Sequence, residues 1–316
     1  MILRMAAEIL RAGGLVAFPT ETVYGLGANA MNTDTVRTIF EAKGRPAANP
    51  LIVHVNGETM VRHVVANWSP RAQLLADRFW PGPLTLVLPK AESVPDIVTA
   101  GGQTIAVRTP GHSVALGLIR EAGVPLAAPS ANRSGELSPT RADHVRAALD
   151  GRIDLILDGG PTANGIESTV LDLTTEPATL LRPGPISIAR LKATIGPIQR
   201  NALSRGGPLP SPGMLPRHYA PRTPLELHGS RASLEAKAAV LRGQGVHFGT
   251  MTLGGPASAD AAFVAMSASA ETYAERLYGV LHELDAMSLE CILIELPSES
   301  DEWLAVRDRL SRAAAR

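Results

Sequence analysis

Lys43, Arg45, Arg108 and Arg182 are four cations that the sequence sets at the ends of predicted helices and strands. Strand ends are where α/β sheets bind ligands, and ammonium and guanidinium groups gathered there suit a polyanionic small molecule, phosphate being the obvious candidate. A helix dipole would also explain Lys43 and Arg45, which follow a predicted helix. The loop PSANRSGELSPT (129–140) is harder to read as mere surface. Its Ser130, Asn132, Ser134 and Ser138 run into a predicted helix N-terminus, and free amides beside small polar side chains make an anion site.

Three further stretches bear on chemistry. PTETVYGLG (19–27) follows the apolar LVAF, and is too polar for a core and too ordered for a linker. His54 interrupts an aliphatic strand, where a hydrogen-bonded core role and a working role are both open. Gly25 to Ala30 fits the GxGxxA dinucleotide pattern, but six residues separate Phe18 from Gly25 and the later positions hold Arg45, Pro46 and Asn49 in place of an acid. That departs from the fingerprint, which needs the glycine directly after the strand and the acid about twenty residues on.

These residues need a frame to hold them. At 316 residues the chain is long enough for two domains. Thirty Lys and Arg balance thirty Asp and Glu, so the basic excess that non-specific nucleic-acid binding requires is missing. The single cysteine, Cys291, rules out a disulfide framework or a zinc cluster of cysteines, and its apolar neighbours predict a buried thiol. The N-terminus MILRMAAEILRAGG mixes charges into helical apolar spacing, unlike a signal peptide or membrane anchor, and a cytoplasmic protein is expected.

Up to about residue 196, short β-branched strands alternate with amphipathic helices, the pattern of an α/β domain. Strands are expected at 15–18, 51–55, 84–88, 104–108, 126–128, 153–157, 168–173 and 179–182. Helices should start at Asp34, Ser69 and near Ser113, Thr140 and Ser187, each offering a cap to the first free amides. Residues 197–223 are so rich in Pro and Gly that they read as a linker with no regular element. Within it, Arg217, His218 and Tyr219 suit either a plain spacer or a lid over a ligand. Residues 224–316 repeat a strand–helix rhythm that predicts a small, Rossmann-like α/β domain.

PTETVYGLG, KGRP, NPLIVH, WPGPLT, AVRTP, APSANRSGELSPT, GIESTV and LLRPG occur in this order, and the order resembles the Sua5/YrdC/YciO family. SPGMLPRHYAP followed by a small α/β domain resembles its longer Sua5 form. The resemblance implies a YrdC-like twisted open mixed sheet with helices, and a nucleotidyltransferase that makes L-threonylcarbamoyladenylate and pyrophosphate from L-threonine, bicarbonate or CO2, and ATP, for the t6A modification of tRNA. It places Thr20, His54, Arg108, Ala128 and Ser168 against threonine, and Lys43, Arg45, Thr104, Ser130, Asn132, Ser138, Arg182 and Tyr219 around ATP.

The same resemblance implies no protein nucleophile and no metal held by the protein, with Mg2+ arriving on ATP. A separate transferase would carry the product to tRNA, and any direct RNA contact would be weak. An RNA-binding module is the rival from another class, and neutral charge counts against it. The hydrogenase-maturation carbamoyltransferase, which shares such a domain, also carries zinc-finger cysteines that a chain with one cysteine cannot supply.

Overall fold

The computed structural model describes residues 1–200, 218–255 and 262–315. They pack as two units. The first holds Met1–Ser134 and 139–200, and the second Gly135–Ser138 and 218–315.

In chain order the first unit runs α1 (Ile2–Arg11), β1 (Val16–Phe18), β2 (Gly25–Asn29), α2 (Thr33–Lys43), β3 (Ile52–His54), α3 (Glu58–Val61), α4 (Pro70–Phe79), β4 (Leu84–Pro89), α5 (Asp96–Thr99), β5 (Thr104–Arg108), α6 (Ser113–Ala122), β6 (Leu126–Ala127), α7 (Ala142–Leu149), β7 (Leu155–Ile156), β8 (Thr169–Asp172), β9 (Ala178–Arg182), α8 (Ile188–Ile195) and β10 (Ile198–Arg200). Its strands form one mixed sheet in the order β10-β9-β8-β4-β5-β3-β6-β2-β1-β7. One face is covered where Ala6, Ala7 and Leu10 of α1 meet Ala115, Leu118 and Ile119 of α6 over Phe18 and Leu126. Burying such a continuous apolar layer is what holds the strand ends in fixed relation.

Local signals set most of these boundaries. Ser69 accepts from the Ala72 amide to cap α4, and Ser187 does the same for Arg190 in α8. Four expectations are corrected. Helix α6 is capped by His112, whose Nδ1 accepts from the Val114 amide, and not by Ser113. The cap of α2 is Asn32, whose side chain accepts from the amides of Asp34 and Thr35, while Asp34 sits in the first turn. Helix α7 opens at Ala142 with no side-chain cap, because Thr140 donates its backbone amide to His144 Nδ1 instead. The stretch expected to be free of regular structure begins with β10, whose Ile198 is buried as it pairs in parallel with Ala178 at the sheet edge.

β2 is absent from the sequence reading because GLGAN has little strand propensity of its own. Two flanking strands impose it, β1 on one side and β6 on the other, so tertiary pairing overrides propensity. A Cβ on Gly27 would stand 2.7 Å from the Phe18 ring, so the glycine is what lets Phe18 pack flat on β2.

The second unit is a four-stranded parallel sheet, β11 (Leu225–His228), β14 (Cys291–Glu295), β12 (Phe248–Leu253) and β13 (Phe263–Met266), with α9 (Arg231–Gly243), α10 (Ala270–Asp285) and α11 (Leu304–Ala314). All its pairings are parallel, as the strand–helix rhythm predicts. Leu234, Ala238 and Leu241 of α9 pack on Phe248 and Leu293. Cys291 is only half-buried, since it opens β14 and does not lie in its middle. No described helix is long and apolar enough to cross a membrane.

Candidate functional site: one end of the large sheet

Register brings the polar residues together. β3 and β5 run parallel with His54 directly opposite Arg108, while β4 is antiparallel to β5 and parallel to β8. The last residues of β3 and β5 therefore share one end of the sheet with the first residues of β4 and β8. Arg182, ending β9, joins them through the antiparallel β8–β9 pairing. These strands are short and mostly apolar, and the charged side chains Arg108 and Arg182 stand at this end.

Arg108 is the hub. It is only 3% exposed, and its guanidinium donates from Nε to the Gly82 carbonyl at 3.2 Å and from Nη1 to Thr22 Oγ1 at 2.9 Å. Thr22 Oγ1 lies 2.8 Å from Thr20 Oγ1, which donates to the Val23 carbonyl at 2.6 Å. The hydroxyl protons are thereby ordered: Arg108 donates to Thr22, Thr22 to Thr20, and Thr20 to the backbone. Glu21 Oε1 stands 2.6 Å from Arg108 Nη2 as an ion pair.

His54 packs edge-on to Phe18, ring centroids 6.1 Å apart. Burial, and then the neighbouring Arg108 charge, push its pKa down to about 3. It is therefore a neutral imidazole at physiological pH. Its Nδ1 is buried with no hydrogen-bond partner. Beside it, the Ala128 amide donates to the Ile52 carbonyl at 2.9 Å.

Ser168 ties the far side of the row. Its Oγ is 2.7 Å from Thr85 Oγ1 and accepts from Arg182 Nη2 at 3.1 Å, while its carbonyl accepts from Arg182 Nε at 3.0 Å. The turn after β9 comes so close that a Cβ on Gly184 would lie 2.4 Å from the Thr169 amide nitrogen. Only glycine fits there.

A second hub is Lys43, the last residue of α2 and 2% exposed. Nζ donates to the Ser130 carbonyl at 2.6 Å, to the Asn132 carbonyl, and to Asn132 Oδ1 at 3.3 Å. The segment carrying those acceptors is zipped to the PTETVYGLG stretch, since Leu26 N donates to Pro129 O and Ala131 N to Tyr24 O, each at 2.8 Å. Tyr24 in turn donates to the Gly160 carbonyl at 2.7 Å, and burial raises its hydroxyl to about 12. Arg45 folds KGRPAANP back on itself, donating to the carbonyls of Asn49 and Pro50 at 3.2 and 2.9 Å.

Of the residues the resemblance points to, Thr20, His54, Arg108, Ala128, Ser168, Lys43, Arg45, Ser130, Asn132 and Arg182 belong to this unit's network. Thr104 stands apart. It opens β5 opposite Pro89, four residues before Arg108, or about 13 Å along an extended strand. Ser138 and Tyr219 belong to the second unit. There Ser138 O accepts from His282 Nε2 at 3.1 Å. Tyr219 is 1% exposed, 5.9 Å from the Tyr278 ring and with the Arg309 guanidinium 5.3 Å above its own. Arg217 lies outside the described residues.

Thr22, Thr85 and Glu21 were not singled out by the sequence reading. The signal for the first and last was present: three polar side chains in a row, TET, at the end of a buried strand. Thr85 is 0% exposed and reads as an ordinary strand threonine until its partner Ser168, just before β8, is known.

Comparison with known proteins adds the family. A model described as Sua5_yciO_yrdC, Telomere recombination, matches residues 8–184. The chain belongs to the Sua5/YrdC/YciO family. A second model, described as threonylcarbamoyl-AMP synthase, C-terminal domain, matches residues 186–315, which makes this the longer form of the Sua5/YrdC/YciO fold. A Bacillus subtilis protein named threonylcarbamoyl-AMP synthase is 46% identical over 317 residues, 98% of this chain and 92% of its own length. A Pyrococcus abyssi protein of the same name is 44% identical over 99% of this chain and 94% of its own. The crystal structure of P. abyssi Sua5 complexed with L-threonine matches with a TM-score of 0.93 at 42% identity, over 99% of this chain and 94% of that one.

Proposed function

We propose that this chain is an L-threonylcarbamoyladenylate synthase, joining L-threonine, CO2 or bicarbonate, and ATP with release of pyrophosphate, as a step toward t6A in tRNA. The observation that carries this reading is the buried Arg108, with its Thr22–Thr20 relay and neutral His54, in a chain 42% identical to a protein seen with L-threonine. The arrangement suits a small hydroxylated amino acid. Arg108 offers its fork to the carboxylate, while Thr20, Ser168 and His54, together with the methyl of Ala128, form the polar and apolar walls that a CH(OH)CH3 side chain needs.

ATP belongs with Lys43, Arg45, Ser130, Asn132 and Arg182. Their donors and cations match phosphate oxygens, and hydrogen bonds tie Lys43 to Ser130 and Asn132, Arg45 to Asn49 and Pro50, and Arg182 to Ser168. Among the described residues, no three His, Cys, Asp or Glu side chains gather as a metal site. Mg2+ would arrive with the nucleotide, carried on its phosphates.

The chain's residues then act by placement. Threonine's amine captures CO2 as a carbamate with loss of a proton, and the carbamate oxygen attacks the α-phosphorus as the bond to pyrophosphate breaks, so no serine, cysteine or histidine need attack. Holding two reactants in line and meeting phosphate charge with fixed donors together lower a barrier by on the order of ten kcal/mol. The product would pass to a separate tRNA threonylcarbamoyl transferase. The test is pyrophosphate release from ATP with bicarbonate and Mg2+ present. Release should depend on L-threonine, and release that ignores threonine would overturn the reading.

A further inference from the structure

Glu21 is the third residue of the PTETVYGLG stretch, and its carboxylate is held at two points. Oε2 accepts from the Gly111 amide at 2.9 Å, and Oε1 stands 2.6 Å from Arg108 Nη2. Its own carbonyl accepts from Asn164 N at 2.7 Å, so the backbone is fixed too. A Cβ on Gly111 would come within 3.3 Å of the Glu21 carboxyl carbon, so the side chain fills the space that a bare glycine leaves.

The contact with Arg108 is close but misaligned. Oε1 and Nη2 are near enough to pair as charges, yet the N–H does not aim at the oxygen, and both atoms are buried without a hydrogen bond. Two charged atoms with unused bonding capacity therefore face each other. Nε and one N–H of Nη1 are given to Gly82 and Thr22, and Nη2, buried and without a hydrogen bond, is the edge offered to a ligand.

Charge arithmetic then decides what ligand suits this edge. A carboxylate that reaches Arg108 arrives beside the Glu21 carboxylate, and two like charges so close in a buried site repel. An α-amino acid removes the conflict, since its ammonium is one carbon away from its carboxylate. We propose that Glu21 binds the α-ammonium of the amino acid whose carboxylate Arg108 binds, so that the Glu21–Arg108 pair opens to receive the zwitterion. Each protein charge exchanges one partner for another, and neither is left buried alone. This rests on reading the Arg108 pocket as the threonine site, and it makes Glu21 the residue that selects amino acids over hydroxy acids of the same shape.

The test titrates full-length protein with L-threonine and with (R)-3-hydroxybutyrate, which is threonine without its amino group. Glu21→Gln keeps an oxygen for the Gly111 amide but loses the charge. It should weaken L-threonine on the order of ten- to a hundredfold, and leave (R)-3-hydroxybutyrate unchanged or tighter, because the competing anion is gone. Glu21→Asp retains the charge on a shorter arm and should fall between wild type and Glu21→Gln for threonine, which keeps the question answerable if one variant folds poorly. Equal weakening of both ligands would reduce Glu21 to a brace for Arg108 and overturn the inference, as would unchanged threonine affinity in Glu21→Gln. Wild-type protein that binds no threonine would instead overturn the reading of the pocket itself, and the inference with it.

Discussion

His54 and Arg108 stand side by side in register on the parallel strands β3 and β5, a neutral imidazole next to a buried guanidinium. The pairing has an acid-stability consequence. The folded pKa of His54 is lowered to about 3, by burial first and by Arg108 second, whereas the unfolded value is about 6.5. A group that binds protons in the unfolded state and refuses them in the folded state costs stability as pH falls. The loss starts below about pH 6.5, runs at up to about 1.4 kcal/mol per pH unit, and continues until His54 itself protonates. Urea midpoints measured from pH 7 to pH 4 should show a flatter slope for His54→Gln than for wild type. Identical slopes would remove His54 as the source.

Arg108→Ala should weaken L-threonine about ten- to a hundredfold and leave ATP nearly untouched, the range expected for losing a charge-assisted contact. Arg108→Lys should recover little. One ammonium cannot reproduce the fork that reaches Gly82, Thr22 and a ligand at once. Calorimetric titration of each ligand decides the matter, and a loss confined to ATP would reassign the residue.

Lys43→Ala should act on stability as well as on the nucleotide. Removing Nζ strands the Ser130 and Asn132 carbonyls, which it now joins in a buried site. An unsatisfied buried acceptor costs about 1–3 kcal/mol. A lower melting temperature together with weaker ATP binding is the expected result. A variant that loses ATP affinity at full stability would show that the loop 130–132 holds its shape unaided.

What the sequence made legible follows from what kind of force fixes each part. Strands such as β5 and caps such as Ser69 and Ser187 depend on local residue type, and all stand where sequence reading puts them. β2 and β10 do not, because GLGAN and IQR become strands only when neighbouring strands pair with them. The site divides in the same way. Arg108, His54 and Lys43 are visible as polar side chains that end otherwise largely apolar stretches. That Glu21 touches Arg108 across 87 residues of chain follows from how the loop after β1 packs on the end of β5, which no local pattern encodes.

Tyr219 carries the last prediction. Sequence reading places it in a linker, where an aromatic would be free to cover a ligand or to do nothing. In the second unit it is a core residue. Its ring lies 4.0 Å from His218, 5.9 Å from Tyr278 and under the Arg309 guanidinium, and the Ala220 amide that follows donates to the Gly135 carbonyl at 2.9 Å. It also holds a φ of 62°, a conformation that costs a non-glycine residue of order 1 kcal/mol or more. The chain accepts that cost because the buried ring returns more. Tyr219→Phe keeps the ring and should cost less than Tyr219→Ala. Tyr219→Ala should destabilise the second unit by about 3–5 kcal/mol, as large-to-small changes of buried aromatics do. Tyr219→Gly should lose the ring but relieve the backbone, and so should be no worse than Tyr219→Ala despite removing one more carbon. Thermal unfolding of the three variants gives the order. A glycine variant clearly less stable than the alanine one would mean that the positive φ stores no strain, and a stable alanine variant would return Tyr219 to the role of a spacer.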